Sequence, residues 1–537
     1  MIRKGRVLVI DDQESWRLLL KETLLMGDFD VEVVSSTAEA LDKIDHNFFH
    51  LLISDIRMED TDPANIGGIE LLRELKRRGL TDALMIIIVS AYGTQETMRE
   101  AFMEFNVVDF QSKDDFDNRE FRKLVQGIFA KKMEVNLDLM IHWQDVNGPK
   151  DIVINLALEN GQRIKQDTSL QERIATELDD LLCRLFCRAE SILARPMTPG
   201  SSGSSVLRVE PFYSSGGGQA VVVKFGHIEA IKKEKRNFVE YVQPFIGGAR
   251  ITTILDDRRT FKLGGIVYSL LGVVGDQVED FDSFYKHNDV SQVRDVLDHI
   301  FRDTCAAWYA NLSKLQPHNL TDDYQERLGF TQKKLEAAFE NLRKSVQGKD
   351  TLHFSSLSEQ QTFINPILAV ADKHLVRPTY ICTTHGDFNP QNILVDRDKH
   401  TWLIDFQSAG PGHIMRDVAA LDSAVRYQLL SPEDASLDER LDMEQVLSQS
   451  TKFSELDRLA TAFPPKNPAL AKTFATVVHI RKLARQLIVQ NPNDDMGEYY
   501  IALLYNGLNN IRFHSLKTVQ REHALLSASL IAEKLGL

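Results

Sequence analysis

The sequence predicts an α/β protein. It opens with a doubly wound, five-stranded parallel sheet and continues into a two-lobed α+β domain with a mainly helical C-lobe. Three observations carry this reading. Continuous apolar runs between Arg6 and Gln111 each end in polar residues. The apolar run Ala220 to Val223 ends in Lys224, behind a stretch rich in glycine and serine. After Val290, apolar residues recur at helical spacing on both sides of one polar loop, His385 to Asn392.

The first run, Arg6 to Ile10, ends in Asp11-Asp12, and Leu51 to Ser54 ends in Asp55. Met85 to Val89 ends in Ser90, and Val107 to Gln111 leads to Ser112-Lys113. Strands apolar on both faces belong to a parallel sheet covered by helices. The chemistry of such sheets lies beyond the strand C-termini, where these polar residues stand. Three carboxylates, a hydroxyl and an ammonium on one rim can bind Mg²⁺ and accept a phosphoryl group. The pattern resembles a response-regulator receiver domain, assigned here to residues 1–130. That resemblance implies Asp55 as phosphoacceptor, with Asp11, Asp12 and Asp55 holding Mg²⁺ alongside the Arg57 carbonyl. It implies that Ser90 and Lys113 contact the phosphoryl oxygens and that Phe110 occupies the aromatic switch position. It also implies a phosphodonor partner, either a sensor histidine kinase or a small phosphodonor. The chain departs from the family pattern twice. Glu59 stands where proline is usual, ahead of an acidic insertion running to Asn65, and Asp114 rather than proline follows Lys113.

Residues 131–194 read as a connector. Asn147-Gly148-Pro149 marks a turn between two mixed segments, which form either a small hairpin or a linker. From Leu170 to Leu193, apolar residues at three-to-four spacing predict an amphipathic helix. It can pack on the next lobe, pair with its copy in a homodimer, or transmit the state of the first domain.

Residues 195–275 form the N-lobe. Pro199 to Ser205 has little side-chain bulk, so Gly200 and Gly203 can bring backbone N–H groups to a phosphate. The ammonium of Lys224, at the end of an apolar strand, can pair with nucleotide phosphates. Its acidic partner belongs on the helix that starts near Ile228, where Glu229, Glu234 and Glu240 are candidates. Gly265 to Leu271 reads as the strand leading into an interlobe hinge.

Residues 276–537 form the helical C-lobe. Val290 to Leu315, Gln332 to Val346, Glu359 to His374, Thr473 to Val489 and Tyr499 to Phe513 carry helical periodicity. Within the loop His385-Gly386-Asp387-Phe388-Asn389-Pro390-Gln391-Asn392, Asp387 can orient or deprotonate a hydroxyl nucleophile, and Asn392 can hold a metal. Asp405, past the next strand pair, supplies the remaining metal coordination. These residues resemble the aminoglycoside phosphotransferase and choline kinase group of kinase-like enzymes. The resemblance favours Glu234 as partner of Lys224. It implies ATP and Mg²⁺ as cofactors and an acceptor bearing a hydroxyl. It also makes Asp417, in Gly412 to Ala419, a brace for the catalytic loop. The expectation is a phosphotransferase regulated by phosphorylation of Asp55. The alternative is a nucleotide-binding pseudokinase or adaptor gated by the receiver.

A chain of 537 residues is too long for one core. Its net charge of −14 argues against a nucleic-acid partner. No apolar run approaches the roughly 20 residues that a membrane helix needs, so no membrane association is expected. Four cysteines without a ligand cluster read as core thiols of a cytoplasmic protein.

Overall fold

The computed structural model describes residues 3–58, 66–92, 95–157, 164, 167–197, 203–245, 251–271, 278–329, 331–463, 466–488 and 494–537. It divides into two compact units. The first holds Met1–Lys232 and Ile254–Ser269, the second Lys233–Thr253 and Leu270–Leu537.

The first unit begins with β1 (Arg6–Ile10), α1 (Glu14–Leu25), β2 (Asp30–Val34), α2 (Thr37–His46), β3 (Leu51–Ser54), α3 (Gly67–Arg77), β4 (Met85–Ser90), α4 (Gln95–Glu104), β5 (Val107–Ser112) and α5 (Asn118–Lys131). The strands lie in the order β2-β1-β3-β4-β5, all parallel. Side chains alternate across the sheet, as a two-residue period requires. Val7, Val9, Leu51, Ile53, Ile87 and Val89 face Leu20, Leu24, Phe121, Val125 and Ile128. Leu8, Ile10, Leu52, Ile86 and Ile88 face Ala40, Ile44, Ile69, Leu72, Leu75 and Phe105. Each such side chain contributes about 1.5–3 kcal/mol on burial. Side-chain oxygens start two of the helices: Ser36 accepts Glu39 N–H, and Asp117 accepts the N–H groups of Arg119 and Glu120.

The same unit continues with β6 (Met140–Trp143), α6 (Pro149–Val153), α7 (Thr168–Leu185), β7 (Ser191–Pro196), β8 (Ser205–Tyr213), β9 (Gly216–Gly217) and β10 (Val221–His227), then the start of α8 (Ile228–Asn237), which passes into the second unit at Lys233, and most of β11 (Ile251–Arg259) and β12 (Leu263–Leu271). The sheet order is β11-β12-β10-β8-β7-β6, with β9 beside β8. This corrects the expected connector over 131–194. β6 joins the sheet by pairing parallel with β7, and the expected boundary at 194/195 falls inside β7. The physical reason is burial. Ile174, Leu178, Leu181, Leu182 and Leu185 of α7 share one core with Leu207, Val209, Val223, Phe225, Leu263 and Val267 of the sheet.

The second unit is mainly helical. Its long helices are Arg416–Ala424, Leu437–Leu447, Pro468–Leu487, Gly497–Asn510 and Thr518–Lys534. A buried polar network ties them together. The Asp422 carboxylate accepts from Arg426 at 2.6 Å, Arg481 at 3.0 Å and the Tyr499 hydroxyl at 2.8 Å. Arg426 also donates to Glu444 at 2.8 Å. Antiparallel strands Ile393–Asp396 and Thr401–Leu403 form a hairpin, extended by Val278–Asp280. Strand Ile381–Thr384 pairs with Gly410–His413. The helix expected over Glu359 to His374 is reduced to Pro366–Ala369. Asn365 caps it and Pro366 opens it, a pair that sets a helix start, while Phe363–Ile364 pairs as a strand with Thr351-Leu352.

Candidate functional site

The first candidate site lies on the rim of the five-stranded sheet. Asp11 and Asp12 follow β1, Asp55 follows β3, Ser90 ends β4 and Lys113 follows β5. The Ser90 hydroxyl donates to Asp55 Oδ1 at 2.5 Å. Lys113 Nζ bridges Asp55 Oδ2 at 2.6 Å and Asp11 Oδ2 at 2.7 Å. Arg57 N–H donates to Asp55 Oδ1 at 3.3 Å. One carboxylate oxygen from each of Asp11, Asp12 and Asp55 lies within 4.8 Å of the others. Such a hard oxygen set fits a divalent cation like Mg²⁺, and the lysine ammonium already seated between two of the carboxylates shows the spot favours positive charge. Burial pushes the Asp11 pKa up to about 6, against the pull of Lys113. Burial works against the Lys113 ammonium too, but its hydrogen bonds to Asp11 and Asp55 hold its pKa above the ordinary lysine value. Phe110 is half-buried against the core on the α2–α4 side. Trp16, which the rim pattern gives no reason to single out, lies 5.1 Å from Lys113 Nζ.

The second candidate site is built in the helical unit. Strand Ile381–Thr384 delivers His385-Gly386-Asp387. The buried Asp417 carboxylate, in the first turn of its helix, accepts His385 N–H at 2.8 Å and Gly386 N–H at 3.0 Å. Tyr309, absent from the sequence reading because no local signal marks it, donates its hydroxyl to Asp417 at 3.0 Å. Arg416 donates to Gly386 O at 2.8 Å. Gly386 has φ +83°, and a Cβ there would lie 2.1 Å from Ser408 O. Only glycine fits that turn.

Asn392 Nδ2 donates to Asp387 O at 2.9 Å and to Asp387 Oδ2 at 3.3 Å. That leaves the amide oxygen of Asn392 as its acceptor. Ile393 pairs with Leu403, and Ile404 N–H donates to Asn392 O at 3.1 Å, so Asp405 follows directly at the base of the same hairpin. Asp405 adopts φ 71°, ψ 66°, a conformation costing about 1–3 kcal/mol in a residue with a side chain. The next residue anchors it. Phe406 N–H donates to buried Glu234 Oε1 at 3.3 Å. Asp387, Asn392, Asp405 and Glu234 thus come together, whereas Glu229 pairs with Lys232 at 2.9 Å.

Lys224 belongs to the other unit. It is buried on β10, opposite Val206 and Ile266. Gly203 packs against Ala157, whose N–H donates to its carbonyl at 2.9 Å. Gly200 lies outside the described residues.

The acidic rim on a five-stranded parallel sheet defines a receiver domain. Residues 7–126 match the response regulator receiver domain model. Residues 189–358 and 350–512 match the model of ternary complex associated domain 9, together more than half of the chain. The protein therefore belongs to the ternary complex associated domain 9 family and carries an N-terminal receiver. The transcriptional regulatory protein ZraR of Escherichia coli K12 is 33% identical over 113 residues, 21% of this chain and 24% of that protein. The response regulator protein FleR of Pseudomonas aeruginosa is 30% identical over 113 residues, 20% of this chain and 22% of FleR. The chain thus spans about a quarter of the length of these relatives. The chemotaxis response regulator CheY4 of Vibrio cholerae is similar in structure, with 23% identity and a TM-score of 0.21, covering 24% of this chain and 99% of CheY4. Among the described residues no helix is long and apolar enough to cross a membrane.

Proposed function

We propose that the protein is a cytoplasmic two-component signalling enzyme. In this reading, phosphorylation at Asp55 regulates an ATP- and Mg²⁺-dependent phosphotransferase acting on a hydroxyl acceptor. The observation that carries the reading is the clamped loop. Asp417 fixes the backbone at His385-Gly386, Asn392 holds the Asp387 carboxylate, and Glu234 anchors Phe406 beside Asp405. Phosphoryl transfer needs positioning and charge stabilisation more than covalent chemistry, and this loop is built to hold position.

Each residue then has a role. Asp387 orients the acceptor hydroxyl and takes its proton. The amide oxygen of Asn392 and the Asp405 carboxylate hold the metal, which supplies neutralisation of phosphate charge when bound. Lys224 positions the nucleotide phosphates, and Glu234 keeps the metal loop in register. On the receiver, Asp11, Asp12 and Asp55 hold Mg²⁺ while Ser90 and Lys113 receive the phosphoryl oxygens. Incubation with ATP, Mg²⁺ and a panel of hydroxyl acceptors tests the reading. ADP release should be lost in Asp387→Asn. Release unchanged by that substitution would overturn the assignment. Tight ATP binding without turnover would instead make the domain a nucleotide-binding pseudokinase or adaptor gated by the receiver.

A further inference from the structure

Within the first unit, helix α7 lies between the receiver and the second sheet and meets both through specific side-chain contacts. His50 immediately precedes β3 and Asp55 immediately follows it, separated by the four buried residues Leu51, Leu52, Ile53 and Ser54. His50 Nδ1 accepts Arg6 N–H at 2.9 Å, so its Nε2 carries the proton. That nitrogen meets Asp180 Oδ1 of α7 at 2.7 Å, and Arg184 donates to Asp180 Oδ2 at 2.7 Å. His50 N–H also donates to Arg6 O, and Met85 N–H donates to His50 O. The imidazole therefore bridges β1 and α7, while the His50 backbone is tied to β1 and β4.

A second contact lies beside it. Phe261, in the turn between β11 and β12, is buried in the receiver's own core with Leu75, Ala83, Leu84 and Phe105. Glu177 of α7 holds that turn, accepting the Thr260 hydroxyl at 2.7 Å and Lys262 N–H at 2.9 Å. Arg259 bonds Gly79 O and pairs with Asp82 at 3.2 Å. The opposite face of α7 lies on the sheet. Leu181 and Leu185 press on Gly265 of β12, where a Cβ would sit 3.0 and 3.1 Å from them. Gly265 pairs with Phe225, next to the pairing of Ile266 with Lys224.

We infer that helix α7 reads the phosphorylation state of Asp55 through the His50–Asp180 contact and the Phe261 plug, and passes it to the strands that carry Lys224. The regulatory consequence rests on the phosphotransferase reading above; the mechanical coupling does not. A phosphoryl group replaces the single charge of the Asp55 carboxylate with nearly two beside Asp11 and Asp12, and it competes for Lys113. β3 then has to re-seat. A close-packed strand transmits such a shift along its length, and its far end is His50.

Hydrogen–deuterium exchange on the full chain, with and without acetyl phosphate and Mg²⁺, tests this. Mass measurement of Asp55 phosphorylation runs in parallel. In the wild type, exchange in 168–185 and 254–269 should change about fivefold on phosphorylation, at the low end of allosteric couplings. In His50→Gln and in the milder Phe261→Leu, Asp55 should still be phosphorylated but the change in α7 should vanish. No response of α7 in the phosphorylated wild type overturns the inference, as does an equal response in a phosphorylated variant. If α7 responds but no ADP forms, the phosphotransferase reading fails and the coupling stands. If Asp387-dependent turnover occurs while α7 is silent, the reverse holds.

Discussion

The Asp417 carboxylate accepts the backbone N–H of Gly386 at 3.0 Å, across a sequence separation of 31 residues. Its other oxygen takes His385 N–H and the Tyr309 hydroxyl. One buried side chain therefore sets the backbone from which Asp387 projects.

Asp417→Asn follows from that relationship. The amide replaces one acceptor with a donor that faces an N–H, and each buried donor left unsatisfied costs about 1–3 kcal/mol. ATP turnover should fall at least tenfold, since small misplacements of reacting groups carry penalties of that order. The melting temperature should fall with it. Wild-type turnover in a folded Asp417→Asn protein would show that the brace is dispensable.

Gly386→Ala should be worse than its size implies. The left-handed backbone costs about 1–2 kcal/mol for a residue with a Cβ, and the collision with Ser408 O adds a backbone shift. Gly329 supplies the control. It has φ +61° with nothing within 4 Å of a Cβ, so Gly329→Ala should carry the strain alone and leave turnover intact. Equal melting temperatures for the two variants would contradict the packing argument.

His523 gives a pH dependence. It is buried, Arg440 donates to its Nδ1 at 3.3 Å, and its Nε2 meets Glu444 at 2.8 Å. Burial lowers its pKa from 6.5 to about 4, against the pull of Glu444. The unfolded chain therefore binds the proton more readily than the native one. The stability contribution is complete above pH 6.5 and is lost as pH falls towards 4, by at most about 3 kcal/mol. Urea unfolding from pH 7.5 down to 4.5 should show this slope, and His523→Gln should flatten it. An unchanged slope would place the titration elsewhere.

The receiver was legible because its strands are continuous apolar runs and a parallel sheet brings their ends to one rim. β2 escaped that test because Asp30 and Glu32 interrupt it. Asp387, Asn392 and Asp405 were legible because local chain geometry, one loop and one hairpin, gathers them. Glu234 was only one of three candidates, with Glu229 on the same helix and Glu240 in the turn that follows it. What separates it is the Phe406 N–H it accepts, a partner 172 residues away. His50, Asp180 and Phe261 carried no signal at all. A lone histidine before a strand and a phenylalanine in a turn acquire meaning only from contacts across the fold, and His50 meets Asp180 over 130 residues. The amphipathic pattern of α7 announced one buried face and gave no indication that the other would be buried too.

Lys113 is the last test. Its ammonium sits between the Asp11 and Asp55 carboxylates and offsets their repulsion. Lys113→Met removes that cation and leaves like charges confined together, which then favour either a proton or a metal ion. Two consequences separate the structural role from the chemical one. Mg²⁺ should raise the melting temperature of Lys113→Met more than that of the wild type, because a bound cation now supplies the whole of the neutralisation. Labelling of Asp55 by acetyl phosphate should nonetheless drop at least tenfold, because the phosphoryl oxygens lose their ammonium partner. Thermal shifts over a Mg²⁺ series and phosphate incorporation by mass measure the two effects independently. A smaller Mg²⁺ shift in the variant than in the wild type would mean that the metal does not share the space between Asp11 and Asp55.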